Sequence, residues 1–394
     1  MRDQDDEQPL AAAEPGGTRG WPPDWRAWRW AAFPVVVFLC TRAALFAFAY
    51  LALTLTPDLL FELNSREFLL PYPMLDGLYR WDSEWFYVIA ANGYTDVRST
   101  NFFPLLPLLA RVVAEATGLH LRFALLLVPN VASFAAYLLV YRVFLHLAGE
   151  AAARWSLLLL VSYPFAFFQA AAYPESLMML CSALAVWLAL RGHPIWAGLA
   201  LGVGGLARHI TMFAGAALLA AQVQERGASP RRFLRSPALL GLLIAWLPLI
   251  GYCAYQYRTV GDPLAFYHAR SDPAWGERAW WGLRELLATT RTDVEVSIMY
   301  SYIPFALLPT LGAGLLLRRR AWHPTAAFAL AFMATMWLIG IWGLGRYSAS
   351  CWPAFLPLGA WLARRPFLQG PAIAILALFQ GLYFYLFAHQ FYIL

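Results

Sequence analysis

Lysine is absent from this chain of 394 residues; all 29 basic residues are arginine. We read that absence as the codon bias of a GC-rich bacterial genome, not as a functional signal. Charge of either sign is scarce, at 13% of residues, where an ordinary soluble domain carries about 25%. With 61% of residues hydrophobic, this excludes a soluble globular domain, a disordered tail protein and a coiled coil. HExxH, a Cys/His cluster, a P-loop and a strand-borne GxGxxG are all missing, so neither a metal nor an organic cofactor is expected. The four cysteines, Cys40, Cys181, Cys253 and Cys351, lie in or beside apolar runs without CxxC spacing and read as packing residues. The arginines behind the net charge of +6 are spread over short loops, so a membrane reading takes precedence over a nucleic-acid partner.

What is present is a series of long apolar runs broken by charged turns, the pattern of an all-α polytopic transmembrane bundle. Residues 1–30 are polar and rich in Pro, Gly and acids, and read as a disordered cytoplasmic tail. The membrane domain is then 31–394. Apolar segments at 33–55, 122–147, 153–172, 175–191, 195–207, 209–224, 236–257, 297–317, 322–342, 348–363 and 367–388 give about 11 spans. Several are shorter than the ~20 residues of a perpendicular crossing, which points to broken or re-entrant elements.

With the N-terminus inside, the inner turns carry Arg142, Arg154, Arg191, the group Arg226, Arg231, Arg232 and Arg235, the triplet Arg318–Arg320, and Arg364 with Arg365. That satisfies the positive-inside rule. Outside the N-terminal tail, nearly all carboxylates fall on the opposite side. That side also receives two long loops, 56–121 and 258–296. The first is too long for a plain connection. Its second apolar stretch, Phe102 to Val113, carries Pro104 and Pro107 and reads as a surface-lying amphipathic helix with Arg111 and Glu115 on its wet side.

The residues able to carry chemistry gather on that outer side. Arg80-Trp81-Asp82-Ser83-Glu84 sets two carboxylates among aromatics. Both Asp82 and Glu84 are candidate catalytic residues; on a helix, positions i and i+2 face apart, so the two take different roles. The segment also reads as a plain aromatic interface belt. Glu175, in Tyr173-Pro174-Glu175-Ser176, reads equally as a helix-dipole partner and as a site carboxylate. Arg208-His209 follows Gly202, Gly204 and Gly205; an arginine near membrane depth calls for a buried partner or an anionic ligand, unless it snorkels. Arg42, in the first span, is a weaker candidate of the same kind. His268 in the second outer loop, near Trp275, Trp280 and Trp281, reads as a hydrogen-bond donor to a phosphate or as an exposed side chain. Arg346-Tyr347 lies at an outer helix start, where guanidinium and helix dipole both favour an anion.

These segments, in this order, resemble the GPI mannosyltransferase 2 (PIG-V-like) family. The matching pieces are RWDSEWF, NGYTD and NFFPLLP in the first outer loop, AAYPESLMML, GLARHITMF, GDPLAFYHARSDPAW and GRYSASCWPAFLPL. Together they span about 80–360. The resemblance implies a GT-C helical bundle with interfacial helices and a catalytic acid in the first outer loop. It implies inverting transfer of a mannosyl, or similar hexosyl, unit from a polyprenyl-phosphate sugar, with Asp82 as the base. Arg346, Tyr347, Arg208, His209, Glu175, His268, Arg80 and Trp81 would line the substrate site. The lipid-linked sugar is then a substrate, and the partners are that donor, membrane lipids, and a glycan, glycolipid or protein acceptor. The chain departs from the family's pattern at Asp96, the acid nearest to the GYxxE position, and at Leu106, where FFPLYP carries tyrosine. Two other classes stay open at this point: a lipid or lipid-linked-sugar flippase, which would not need Asp82, and a non-catalytic assembly subunit.

Overall fold

A computed structural model describes residues 29–55, 70, 72–269, 300–339 and 343–391. The expected tail and the Trp275, Trp280 and Trp281 cluster lie outside the described residues, except for positions 29 and 30. Among the described residues every regular element is a helix. We number the main ones α1 (Ala32–Leu55), α2 (Asp82–Asn92), α3 (Leu105–Thr117), α4 (Leu121–Ser162), α5 (Glu175–Leu190), α6 (Pro194–Gly205), α7 (Gly215–Arg226), α8 (Pro237–Val260), α9 (Tyr302–Leu315), α10 (His323–Ile339), α11 (Phe355–Leu362) and α12 (Pro366–Ala388). Among the described residues, four helical stretches are long and apolar enough to cross a membrane: Arg29–Leu55, Leu121–Ser162, Pro237–Val260 and Pro366–Ala388. The remaining apolar segments form shorter helices.

The breaks have local causes. α4 contains a non-helical residue, Gly149, at φ 79°, a conformation open to glycine and costly for residues with a Cβ. The helix is therefore two segments, as the two apolar runs on either side of it predict. The run expected at 153–172 stops as a helix at Ser162, because Pro164 drives Tyr163 out of the α region (φ −59°, ψ 139°). A single 3-10 turn, Ala166–Gln169, follows. The run at 209–224 likewise opens as 3-10 helix over His209–Ala214 before α7 begins. The run at 348–363 is split at Pro353, with a 3-10 turn ahead of α11.

α3 is amphipathic, as its sequence predicts. Leu105, Leu106, Pro107 and Ala110 are buried, while Arg111 and Glu115 pair across one turn at 2.8 Å on the exposed face. Its first turn is tied to the end of α6 by Leu105 N–H donating to Leu206 O at 2.9 Å.

Arg42, deep in α1, is an internal brace. It donates to Ser133 Oγ of α4 and, at 3.2 Å, to Gln169 O, and it lies over the Phe38 ring at 4.7 Å. Both bonds come from Nη2 and meet part of the demand of a buried guanidinium, while its Nε has no hydrogen-bond partner among the described residues.

The bundle has two unlike ends. Arg122 of α4 pairs with Glu84 at one end, and Trp322 Nε1 donates to Leu147 O at the other. Ala388 O of α12 meets Arg80, and Tyr252 near the C-terminus of α8 meets Thr100 O. The segments between these contacts run to the turns holding Arg191, Arg226, Arg235, Arg318 and Arg364. The arginine-rich turns thus lie at one end, and the residues of the first long loop at the other.

Candidate active site

Asp82 is the first residue of α2 and Trp81 is its N-cap, with φ 53° and ψ −113°. A non-glycine residue there is strained, and such strain persists only where surroundings enforce it. Four contacts do so. Arg80 Nη2 pairs with Asp76 Oδ2 at 2.5 Å, and Arg80 Nε donates to Ala388 O at 2.9 Å. The Tyr173 hydroxyl donates to Arg80 O and accepts from Asp82 N–H, both at 3.2 Å. The backbone on either side of Trp81 is therefore pinned, and the Asp82 carboxylate takes a fixed direction.

That direction is toward Arg346. Its Nη1 donates to Asp82 Oδ2 at 2.8 Å. Arg346 sits in the single-turn helix Leu344–Ser348, is buried, and stacks over Phe168 and Tyr173 at 5.7 and 5.3 Å. This turn approaches closely because Gly345 packs on the Phe165 ring, where a Cβ would come within 2.7 Å.

Glu175, the first residue of α5, joins the second cation to the first. Its Oε1 lies 3.2 Å from Arg208 Nε and 3.3 Å from Arg346 Nε, and it is fully buried. The Tyr347 hydroxyl closes the ring, accepting from Arg208 Nη1 at 2.6 Å and from Arg346 Nη2 at 3.3 Å. Two guanidiniums are thus held by their Nε sides on one buried carboxylate. Asp82 and Arg208 keep 15% and 14% of their side chains exposed and Arg346 keeps 6%, against 1% for Glu175, so an incoming ligand reaches these three groups and not Glu175. Burial, followed by the Asp82 carboxylate, pushes the Tyr173 phenol well above its ordinary pKa; it remains a neutral hydroxyl.

The other candidates separate from this cluster. Glu84 faces away from Asp82, as the i, i+2 spacing requires. It accepts from Arg122 Nη2 at 3.0 Å and from the Tyr79 hydroxyl at 3.1 Å. Arg80, a predicted substrate ligand, is a strut held on Asp76. His209 lies against Phe103 and Phe266, with ring centroids 5.2 and 6.2 Å away, in the aromatic wall that Tyr252 extends. His268 is exposed and pairs within its own loop with Asp262 at 2.6 Å; hydrogen bonding from His268 holds the Asp262 carboxyl below its ordinary pKa. Trp81 is exposed at the rim.

Tyr173 and Arg122 were not singled out in the sequence as site residues. The first had a visible signal, an aromatic hydroxyl two positions before Glu175. The second had none beyond lying in the first turn of a helix after the long loop.

The arrangement offers one oriented carboxylate beside two cations, at the end of an apolar bundle. It can accept a proton while stabilising a nearby anion. Comparison with curated proteins finds no match. A family model described as mannosyltransferase (PIG-V) matches residues 70–304, a stretch that takes in Asp82, Glu84, Glu175 and Arg208 and ends before Arg346. The chain belongs to the mannosyltransferase (PIG-V) family, glycosyltransferases of the membrane.

Proposed function

We propose that the protein moves a mannosyl, or similar hexosyl, unit from a polyprenyl-phosphate sugar to an acceptor hydroxyl on the extracytoplasmic face of a bacterial plasma membrane. The observation that carries this reading is the 2.8 Å contact between Asp82 and Arg346, in a cluster that also holds Arg208. The reaction is a single displacement with inversion. As the acceptor oxygen bonds to the anomeric carbon, its proton passes to the Asp82 carboxylate. The bond from that carbon to the phosphate oxygen breaks on the opposite face, and its electron pair leaves with the polyprenyl phosphate.

The leaving phosphate gains a negative charge, which Arg346 and Arg208 neutralise. One preorganised donor aimed at developing charge is worth about 10²–10³ in rate. Glu175 is a positioning residue, holding the two guanidiniums without touching substrate. Tyr347 bridges their Nη atoms and sets their spacing. Among the described residues Asp82 is the only carboxylate in contact with Arg346 that is also open to a ligand, so one acid acts as base and none is assigned as a nucleophile. The donor is a substrate, and the chemistry invokes no cofactor or metal.

A lipid-borne sugar demands a site at the membrane boundary. The fold suits a GT-C bundle of about 11 crossings in which α3 lies along the surface, with its buried leucines inward and Arg111 and Glu115 in water. The acceptor is a glycan, glycolipid or protein at that surface.

The test is transfer from purified polyprenyl-phosphate mannose to membrane-derived acceptor by the full-length protein. Asp82→Asn should lower the rate by about 10²–10⁴ while donor binding persists. A folded Asp82→Asn protein that transfers as fast as the wild type removes the proposed base. Efficient transfer after Asp82→Ala of a lipid rather than a sugar would instead favour a flippase.

A further inference from the structure

The opposite end of the bundle holds a second built feature. α7 ends at Arg226, and α8 begins at Pro237. Since Tyr252 and Gln256 of α8 sit at the Asp82 end, the start of this 24-residue helix lies about 25–30 Å away, at 1.5 Å per residue. The connection includes the short helix Pro230–Leu234, which buries none of its residues. Its position is therefore not dictated by core packing. Arg232 Nη1 nevertheless folds back to donate to Arg226 O at 2.9 Å, across a reversal at Gly227 (φ 79°). The result is a cleft of about 460 Å³ lined by Arg226, Arg231, Arg232 and Arg235.

Four like charges around one cleft repel. The acid paired with one of them is the exposed Glu225, 3.8 Å from Arg226. The positive-inside rule asks for arginines in this turn; it does not ask that they converge. A bound anion would stabilise their convergence. The surroundings identify its source. Leu234 is 68% exposed and Leu243 of α8 is 58% exposed, so an apolar face, of the kind that contacts lipid tails, runs up to the cationic cleft. A ligand with a phosphate head and an apolar body satisfies both surfaces.

We infer that the Arg226/Arg231/Arg232/Arg235 cleft binds the phosphate headgroup of an anionic phospholipid, at the end of the bundle remote from Asp82. The site makes no contact with the transfer chemistry, so it stands or falls separately from the function proposed above.

The experiment measures lipids retained by the full-length protein by native mass spectrometry, with phosphatidylglycerol and phosphatidylcholine offered equally. The wild type should retain phosphatidylglycerol preferentially. Arg231→Gln/Arg232→Gln/Arg235→Gln should weaken that retention at least about tenfold, given about 1 kcal/mol per arginine near a lipid surface. A control, Arg191→Gln/Arg364→Gln/Arg365→Gln, removes equal charge from other turns at the same end and should retain the lipid. Equal loss in the control overturns the inference, as does equal retention of both lipids by the wild type, a measurement that needs no variant. If inorganic phosphate alone raises the wild-type melting temperature as far as phosphatidylglycerol does, the ligand is free phosphate and the lipid assignment fails.

Discussion

Asp82 and Arg346 lie 264 positions apart and meet at 2.8 Å. Each was visible in the sequence as a residue out of keeping with its apolar surroundings, yet nothing in the sequence paired them. That pairing depends on how the bundle returns the end of the chain to the first loop. Arg80 teaches the converse. It stands two residues from Asp82 and reads as a ligand, but the turn Pro73–Asp76 puts Asp76 one helical turn before it, and the two neutralise each other below the surface. The two arginines should therefore fail differently when truncated. Under the proposed mechanism Arg346→Ala removes a donor to the leaving phosphate, so kcat for transfer should fall by about 10²–10³ and donor KM should rise more than acceptor KM. Arg80→Ala strands the Asp76 carboxylate in the interior, which costs about 3–5 kcal/mol of stability. Thermal unfolding in detergent reads that loss. An Arg80→Ala protein that melts with the wild type while losing donor affinity would return Arg80 to the list of ligands. Glu175→Gln keeps the shape but removes the charge that both Nε groups face; it should lower kcat with less effect on acceptor KM, since Glu175 is shielded from substrate.

At the scale of elements, apolar runs located nearly every helix, because each run must bury or present apolar surface along its length. Where helices stop was less visible. Pro164 and Pro353 ended segments whose hydropathy continued, since proline acts on backbone geometry and hydropathy does not register it. How the helices pack was legible only at the glycines before Arg208, Gly202 among them. Gly198 and Gly202 on α6 are four apart, as are Gly241 and Ala245 on α8, so each helix presents one small-residue seam. The structure uses both seams. A Cβ on Gly198 would collide with the Gly241 carbonyl, and one on Gly202 would sit 2.9 Å from Ala245 O. Gly198→Ala should thus cost about 1–3 kcal/mol through forced backbone movement. Gly251→Ala, in the same helix α8 but with open space around its Cβ, should be neutral or stabilise by about 0.5–1 kcal/mol through helix propensity. Paired melting curves of the two variants make the comparison. Equal shifts would mean that the seam is not a close contact. Because α6 ends just before Arg208, loss of the seam should also lower transfer by displacing that guanidinium.

The whole molecule is polarised: the arginine-bearing turns that the sequence groups on one side lie at one end of the described helices. The structure gathers Arg226, Arg231, Arg232 and Arg235 around one cleft, and it sets Asp82, Arg208 and Arg346 at the far end of the helices that join the two regions. The positive-inside rule assigns the first end to the cytoplasm, and the proposed chemistry requires the second to face outward. These are separate arguments, one from insertion and one from the location of the lipid-linked donor, and they must agree. Impermeant maleimide labelling tests them together in a background where Cys40, Cys181, Cys253 and Cys351 are replaced. Arg111→Cys places a thiol on the exposed face of α3, and Arg231→Cys places one on the exposed helix Pro230–Leu234. In intact spheroplasts Arg111→Cys should label and Arg231→Cys should not, the latter reacting only after the membrane is opened. The reverse pattern would put Asp82 on the cytoplasmic side. There the arginine asymmetry would violate the insertion rule, and the site would face nucleotide sugars in place of an extracytoplasmic lipid-linked donor, so the proposed donor would fall with the topology.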